Sequence, residues 1–411
     1  MLQYDTTTIV IAAAVIVLAV VASLVNPFFR GITLPDDDDD DYAPSNDGET
    51  GPADDEATVP AASDGESHDS GNSKYPPVSV IITTYDSKPE LTRNLPAVLK
   101  QDYPDFQVIV VYGEHETDTE DWLKKMHEQY SNLYFTFAPE TNRYLSHKKL
   151  AITLGVKAAR NEWIVLTEST CCPDTEDWLK SLSRNFTRGN DIVAGYAHYA
   201  DDCPDIYRFI RLQQAHYLLR RAQRKNAILT NMPVVCFRKS KFMSENGYQG
   251  YLQHVNGEYS FLINKYSDDD NTAVELSRRS WLTEDAPSRH AWHTQRIFYY
   301  AIRHSLNGCG STYLLYAVDR IVPHLSLIVS IAAVIFGVLS MNLTVALAGM
   351  AAILILFFTR MGIAWHACNK FDEPISAIKL PFYEWATIFR NAACRIKYLT
   401  ANKKDFTTHK V

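Results

Sequence analysis

Three polar clusters carry the residue types that chemistry on a charged substrate needs. The first is Glu168-Ser169-Thr170, directly after the apolar run Trp163 to Thr167. A carboxylate at a strand end can accept a hard cation, and a hydroxyl beside it is a weaker ligand. The second is Gly257-Glu258-Tyr259-Ser260, followed by Phe261, Leu262 and Ile263. Its carboxylate opens an apolar helical stretch, where a negative charge is favourable in any case. The third groups Trp292, Gln295 and Arg296. Arg296 has the forked geometry suited to a pair of anionic oxygens, whereas Trp292 reads equally as a packed core aromatic. His290 and His293 stand three apart without a third ligand nearby, so packing or surface roles suit them better than a metal.

These clusters need a scaffold, and the apolar pattern supplies one. Val78 to Thr83, Phe106 to Val111, Leu133 to Ala138 and Trp163 to Thr167 read as short buried strands, with Ile192 to Tyr199 as a fifth. Helical stretches at Lys88 to Lys100, Thr119 to Tyr130 and from Ser146 to Ala159 alternate with them, and Ser146 is a candidate N-cap. Such alternation predicts a mostly parallel α/β sheet. Ligands of open α/β sheets lie beyond the carboxyl ends of the strands, so the loops after Thr83, Val111 and Thr167 are expected to meet at one crevice. Asp174, ahead of Thr175 to Trp178, reads as a helix cap. Neither GxGxxG nor a P-loop occurs in the first half, and no nucleic-acid-binding motif is present.

The segment VSVIITTYDSKPELTRNLPAVLKQDYPDFQVIVV, with its Gln101-Asp102-Tyr103-Pro104 turn, resembles the opening of family 2 glycosyltransferases of the GT-A fold, especially a membrane-anchored bacterial group. LSHKKLAITLGVKAARNEWIVLTEST resembles the family's helix and strand leading to Asp-x-Asp, and the resemblance spans about residues 76 to 305. It implies a Rossmann-like GT-A domain that inverts configuration as it moves a hexose from a nucleotide-sugar donor to a lipid-linked or polysaccharide acceptor. It places Glu168 and Thr170 at the metal positions for magnesium or manganese, and Glu258 at the catalytic base. Donor contacts fall to Thr83, Tyr85, Gly113, Lys149, Glu168, Gln295 and Arg296. The chain departs from the pattern where the family has a nucleobase-binding aspartate, here Gly113, and at the second metal position, here Thr170. Because these acidic motifs are weakened together, a noncatalytic pseudoglycosyltransferase that scaffolds an envelope-glycan complex through a protein partner stays open as the alternative.

Three apolar runs predict a membrane protein: Ile9 to Val25, Ile321 to Met341 and Leu343 to Phe358. No positive charge precedes the first, so it reads as an anchor rather than a cleaved signal. Arg30, Arg320 and Arg360 flank one end of the three spans, which by the positive-inside rule puts the main domain and the C-terminus in the cytoplasm, at a bacterial inner membrane. The expected order is an anchor at 1–30, an acidic disordered linker at 31–74, a GT-A-like domain at 75–310, a membrane hairpin at 318–360 and a basic tail with an interfacial helix at 361–411. Residues 1–73 hold 15 acidic side chains and one basic one, so the remainder carries 39 basic against 33 acidic and is basic despite the net −8. Calcium binding by Asp36 to Asp41 is less specific than a solvated spacer. Pro204 to Lys225, with six basic residues beside apolar ones, suggests a helix lying on an anionic leaflet. The seven cysteines form no CxxC pair, which argues against zinc and against a disulfide framework.

Overall fold

The computed structural model describes residues 5–35, 75–140, 146–224 and 227–407. The acidic stretch with Asp36 to Asp41 therefore lies outside the described residues. In chain order the elements are α1 (Thr6–Leu24), β1 (Val78–Thr83), α2 (Lys88–Leu99), β2 (Phe106–Gly113), α3 (Thr117–Gln129), β3 (Leu133–Ala138), α4 (His147–Ala158) and β4 (Trp163–Glu168). Then come β5 (Cys171–Pro173), α5 (Trp178–Ser183), β6 (Ile192–Ala194), β7 (Ala197–Tyr199), α6 (Asp205–Arg224), β8 (Val235–Arg238), α7 (Lys239–Ser244) and α8 (Glu258–Tyr266). The remainder is β9 (Thr272–Val274), β10 (Leu282–Glu284), α9 (Arg289–Ile302), α10 (Gly310–Leu339), α11 (Leu343–Lys370) and α12 (Leu380–Thr400).

The main sheet has the order β3-β2-β1-β4-β8-β6-β9. Its first four strands are parallel, and β8 runs antiparallel to β4 and β6. Every residue of β1 is buried, as a strand covered on both faces requires. A small sheet, β5-β10-β7, sits beside the end of β4. Its register sets Glu284 opposite both Cys171 and Tyr199, so β10 delivers a carboxylate next to the turn after β4.

The structure overturns three expectations. Ile192 to Tyr199 is not one strand but two, β6 in the main sheet and β7 in the small one. The break falls at Gly195-Tyr196, where a Cβ on Gly195 would stand 2.9 Å from Val234 Cγ1, so the chain changes sheets where only a glycine fits. Asp174 does not cap α5: Asp177 occupies that position, while Asp174 accepts from Thr283 Oγ1 at 2.6 Å and pairs with His198 Nε2 at 2.8 Å. Helix α6 is not a surface helix along its length, because most of its middle, including Arg208 and Arg211, is buried within the fold. Buried arginines need partners, and the fold provides them in Ala200 O for Arg208 and Glu284 for Arg211.

Among the described residues, three helices are long and apolar enough to cross a membrane: α1, α10 and α11. Both members of the hairpin run beyond the expected apolar cores, and the polar residues in the extensions are paired by the fold. Arg30 bonds both oxygens of Asp319, at 2.5 and 2.7 Å, and Arg360 pairs with Glu384 at 2.6 Å while donating to Ala22 O and Val25 O. The end of α1, the early part of α10 and the later part of α11 thus meet on the side of the α/β domain. Within the hairpin the contact is intimate: a Cβ on Gly337 would collide with the backbone of Ala346. Helix α12 packs on α9 and leaves Phe382, Trp385, Phe389, Ile396 and Leu399 exposed.

Candidate active site

The loops after β1, β2 and β4 converge. Ser87 Oγ lies 2.8 Å from Thr84 Oγ1 and 2.9 Å from Ser169 Oγ, joining the first loop to the third. Glu116 joins the first to the second, accepting from Asp86 N at 3.2 Å, Gly113 N at 3.0 Å and Thr119 Oγ1 at 3.0 Å. Thr83 is buried in the sheet at register with Val111 and Glu168, and Tyr85 lies exposed between the rings of His115 and His147. Gly113 ends β2 in a tight spot, where a Cβ would be 2.9 Å from His115 Cε1.

A cavity of about 290 Å³ opens beside the end of β4. Glu168 reaches it from β4, Glu258 from the first residue of α8, Glu284 from β10, and Gln295 and Arg296 from α9. Its far wall is built by Thr312, Tyr313 and Tyr316 of α10 and Asn391 of α12, so membrane-proximal elements complete it. Glu258 is placed by Gly257, whose φ of +99° is a conformation that favours glycine.

Each carboxylate in this cavity faces a cation or a donor. Lys148 Nζ sits 2.6 Å from Glu168 Oε1; burial works against its ammonium, but Glu168 and Glu258 raise its pKa above the ordinary value. Glu258 is buried and receives Ser146 Oγ at 3.3 Å and Lys149 Nζ at 3.5 Å. Ser146 precedes α4 as expected, yet its side chain serves Glu258 rather than capping the helix. Glu284 is 2.6 Å from Arg211, and burial pushes its pKa above the usual carboxylate value although Arg211 opposes this. Arg296 stacks over Trp292 at 4.8 Å and bonds Asn391 Oδ1, which leaves its buried Nε without a partner among the described residues. Trp292 itself is buried and stacked on Tyr207, 4.1 Å between ring centroids.

The structure therefore brings together Glu168, Glu258, Gln295 and Arg296, while Thr83, Tyr85 and Gly113 form the neighbouring crest of the parallel strands. Lys149 requires a correction. It is fully enclosed, donates to His254 O at 2.5 Å, and burial pulls its pKa down, so it supports Glu258 from beneath while Lys148 faces the cavity. Thr170 does not line the cavity; its carbonyl receives Asp285 N at 2.9 Å. Sequence reasoning missed Lys148, Arg211 and Glu284. A usable signal existed for the last: Thr283-Glu284-Asp285 is a polar end to a strand, just ahead of the helix carrying Gln295 and Arg296. Asp86, His115 and Glu116 form a second acidic group whose ligand atoms lie within 4.8 Å of one another. His115 there is held between Asp86 at 3.0 Å and Glu140 at 2.7 Å.

The parallel strands with the small accessory sheet and a cavity of paired carboxylates and cations at the strand ends define a GT-A-like α/β domain carried on apolar helices. Residues 79–245 match the sequence model of Glycosyl transferase family 2. Among solved structures, the mannosyltransferase PcManGT from Pyrobaculum calidifontis, in complex with GDP-Man and Mn2+, is similar with a TM-score of 0.50 and 18% identity, over 79% of this chain and 88% of that one. TarS from S. aureus in complex with UDP gives a TM-score of 0.37 and 17% identity, over 55% and 66%. No curated protein matches the chain in sequence. Over residues 79–245 the α/β domain thus resembles glycosyltransferase family 2 in sequence, and its fold is that of a GT-A domain.

Proposed function

We propose that this protein is a membrane-bound glycosyltransferase that moves a hexose from a nucleotide-sugar donor to a lipid-linked or glycan acceptor, with inversion. The observation that carries this reading is the cavity itself: three carboxylates share it with Lys148 and Arg296, and part of its wall comes from α10, a helix apolar enough to enter a membrane. The crest formed by Thr83, Tyr85 and Gly113 is the place for the nucleoside, and Glu168 with Lys148 lies at the diphosphate. Arg296 and Gln295 close over the donor from α9. With the arginine-marked ends of α1, α10 and α11 turned toward the catalytic domain, the positive-inside rule assigns that domain to the cytoplasmic face of a bacterial inner membrane.

An inverting transfer needs one carboxylate to take the acceptor proton as the sugar moves. Glu258 and Glu284 both reach the cavity. Glu284 has the stronger claim, because a base works best with a pKa drawn toward neutrality and burial moves Glu284 that way. Glu258, braced by Ser146 and Lys149, is the alternative base and otherwise orients the acceptor.

A divalent cation is accommodated poorly at Glu168. The single carboxylate there is already answered by the Lys148 ammonium, and Thr170 is outside the cavity. At the other acidic group, Glu116 already receives two backbone N–H groups and a hydroxyl. Lys148 and Arg296 are the groups we assign to offset the leaving diphosphate, a task that fixed positive charge performs without ion uptake. The same ion pair also favours the noncatalytic scaffold as a second reading, since it closes the position where a catalytic cation would sit.

Calorimetric titration of the purified full-length protein with UDP-, GDP- and other nucleotide sugars, in manganese and in chelator, decides between these readings. Binding of one donor in both media, with transfer to membrane lipid extract, is the expected result. Binding that requires manganese would exclude Lys148 as the counter-charge of the diphosphate. A folded protein that binds no donor would leave the scaffold.

A further inference from the structure

A second cavity, of about 240 Å³, lies where α1 ends, α6 ends and α10 begins. Arg30, Arg220, Arg221 and Arg224 all line it, with Ser311 and Thr312 on the opposite side. Of the four guanidinium groups only Arg30 meets a carboxylate among the described residues, Asp319, whose Oδ2 also receives Tyr217 at 2.6 Å. Arg221 donates to two hydroxyls, Ser311 Oγ at 3.0 Å and Thr312 Oγ1 at 3.2 Å. Arg220 and Arg224 have no hydrogen bond or ion pair among the described residues, and the buried Nε atoms of Arg220 and Arg221 are without partners. Burial depresses the pKa of Arg220, the charges of Arg224 and Arg30 depress it further, and the buried Asp319 carboxylate opposes them.

A favourable interaction with the C-terminal end of α6 accounts for basic residues in its last turn. Arg30, which follows α1, is answered by Asp319, so the charge that the fold leaves unmatched is that of Arg220, Arg221 and Arg224, three guanidinium groups on one wall of the cavity. Beside these polar groups the wall carries Pro27 and Leu315, and on the elements that frame it Phe29, Leu314 and Val318 are exposed. A cluster of guanidinium groups beside a membrane-facing apolar surface matches a phosphate joined to hydrocarbon chains rather than a soluble ion.

We propose that this cavity binds the phosphate headgroup of an anionic membrane lipid, with Arg220, Arg221 and Arg224 donating to the phosphate and the acyl chains lying along α10. The site is separate from the catalytic cavity but shares Tyr217 and Thr312 as a common wall. It does not depend on the glycosyltransferase reading, since a scaffold would hold lipid equally well.

The test titrates dioctanoyl phosphatidic acid, dioctanoyl phosphatidylcholine and inorganic phosphate into the full-length protein in detergent micelles. Saturable binding of the phosphatidic acid is expected, with phosphatidylcholine and inorganic phosphate at least tenfold weaker, and with roughly thirtyfold loss in the double variant Arg220→Gln, Arg224→Gln. Both positions lack protein partners among the described residues, so that variant keeps its fold; Arg220→Lys, Arg224→Lys retains the charge and should retain most of the binding. Phosphatidic acid binding unchanged in the glutamine variant overturns the proposal. Inorganic phosphate binding as tightly as the lipid also overturns it, leaving a soluble anion as the occupant. Donor binding by the same variants is expected to be unaltered, which separates this outcome from failure of the catalytic reading.

Discussion

Carboxylates occur at both ends of the crevice, and the fold uses them differently. At the β1 and β2 loops, Glu116 commits its oxygens to two backbone N–H groups and a threonine hydroxyl, bonds that hold two loops together. At the end of β4, Glu168 and Glu284 face the side chains of Lys148 and Arg211, and Glu258 faces Lys149. A bond to backbone locks geometry, whereas the half-buried pair of Lys148 and Glu168 can be exchanged when a charged ligand arrives. The same residue type is therefore a brace in one place and, in the function we propose, a working group in the other.

The sharpest way to break this contrast is to neutralise one carboxylate at a time. Glu284→Gln should lower transfer by about 10²- to 10⁴-fold with donor affinity nearly intact, the range for loss of a general base. Glu258→Gln serves as the comparison: if it costs more than Glu284→Gln in single-turnover assays, the base is Glu258 and the assignments exchange. Next in size, Lys148→Met should weaken donor binding by roughly tenfold or more in calorimetry, because the diphosphate loses one charge-assisted contact. An unchanged dissociation constant would show that the pair with Glu168 is only structural.

The pH dependence sharpens the comparison further. Glu284 has its pKa raised by burial, so as a base it works above that pKa, and transfer should fall as pH drops through a value above the ordinary carboxylate range. The Arg211 cation opposes the rise, so Arg211→Met should move the acid limb of kcat/KM upward, provided the variant folds. The sign for stability is opposite: a raised carboxylate pKa contributes most at low pH, and that contribution is lost as pH rises through the folded-state value. The smallest effect on chemistry is expected for Glu116→Gln, which should cost about 1–3 kcal/mol of stability in denaturant melts by weakening a buried acceptor. A large kinetic effect at normal stability would turn the brace into a working group.

Legibility in the sequence followed locality. The first four strands could be read because each is a short apolar run packed within the sheet, and parallel order follows from the helices between them. Ile192 to Tyr199 misled because an apolar run says nothing about which sheet it joins, and the switch at Gly195 depends on Val234, 39 positions later. The arginines of α6 misled for a related reason. Six basic residues on one segment read as a surface, yet Glu284, 73 positions beyond Arg211, makes burial of that arginine tolerable.

By itself, then, the amino-acid sequence determined the α/β class and the three apolar spans, since periodicity and local polarity are properties of contiguous residues, while the resemblance to the family is what pointed to Glu168, Glu258, Gln295 and Arg296. Only the tertiary structure decided which cation meets which carboxylate. Lys148 and Lys149 are adjacent and chemically identical, and the helical turn of about 100° between them sends one into the cavity and the other beneath Glu258. Charge pairing at separations of 20 to 109 residues is set by the packing of elements and has no local signal to read.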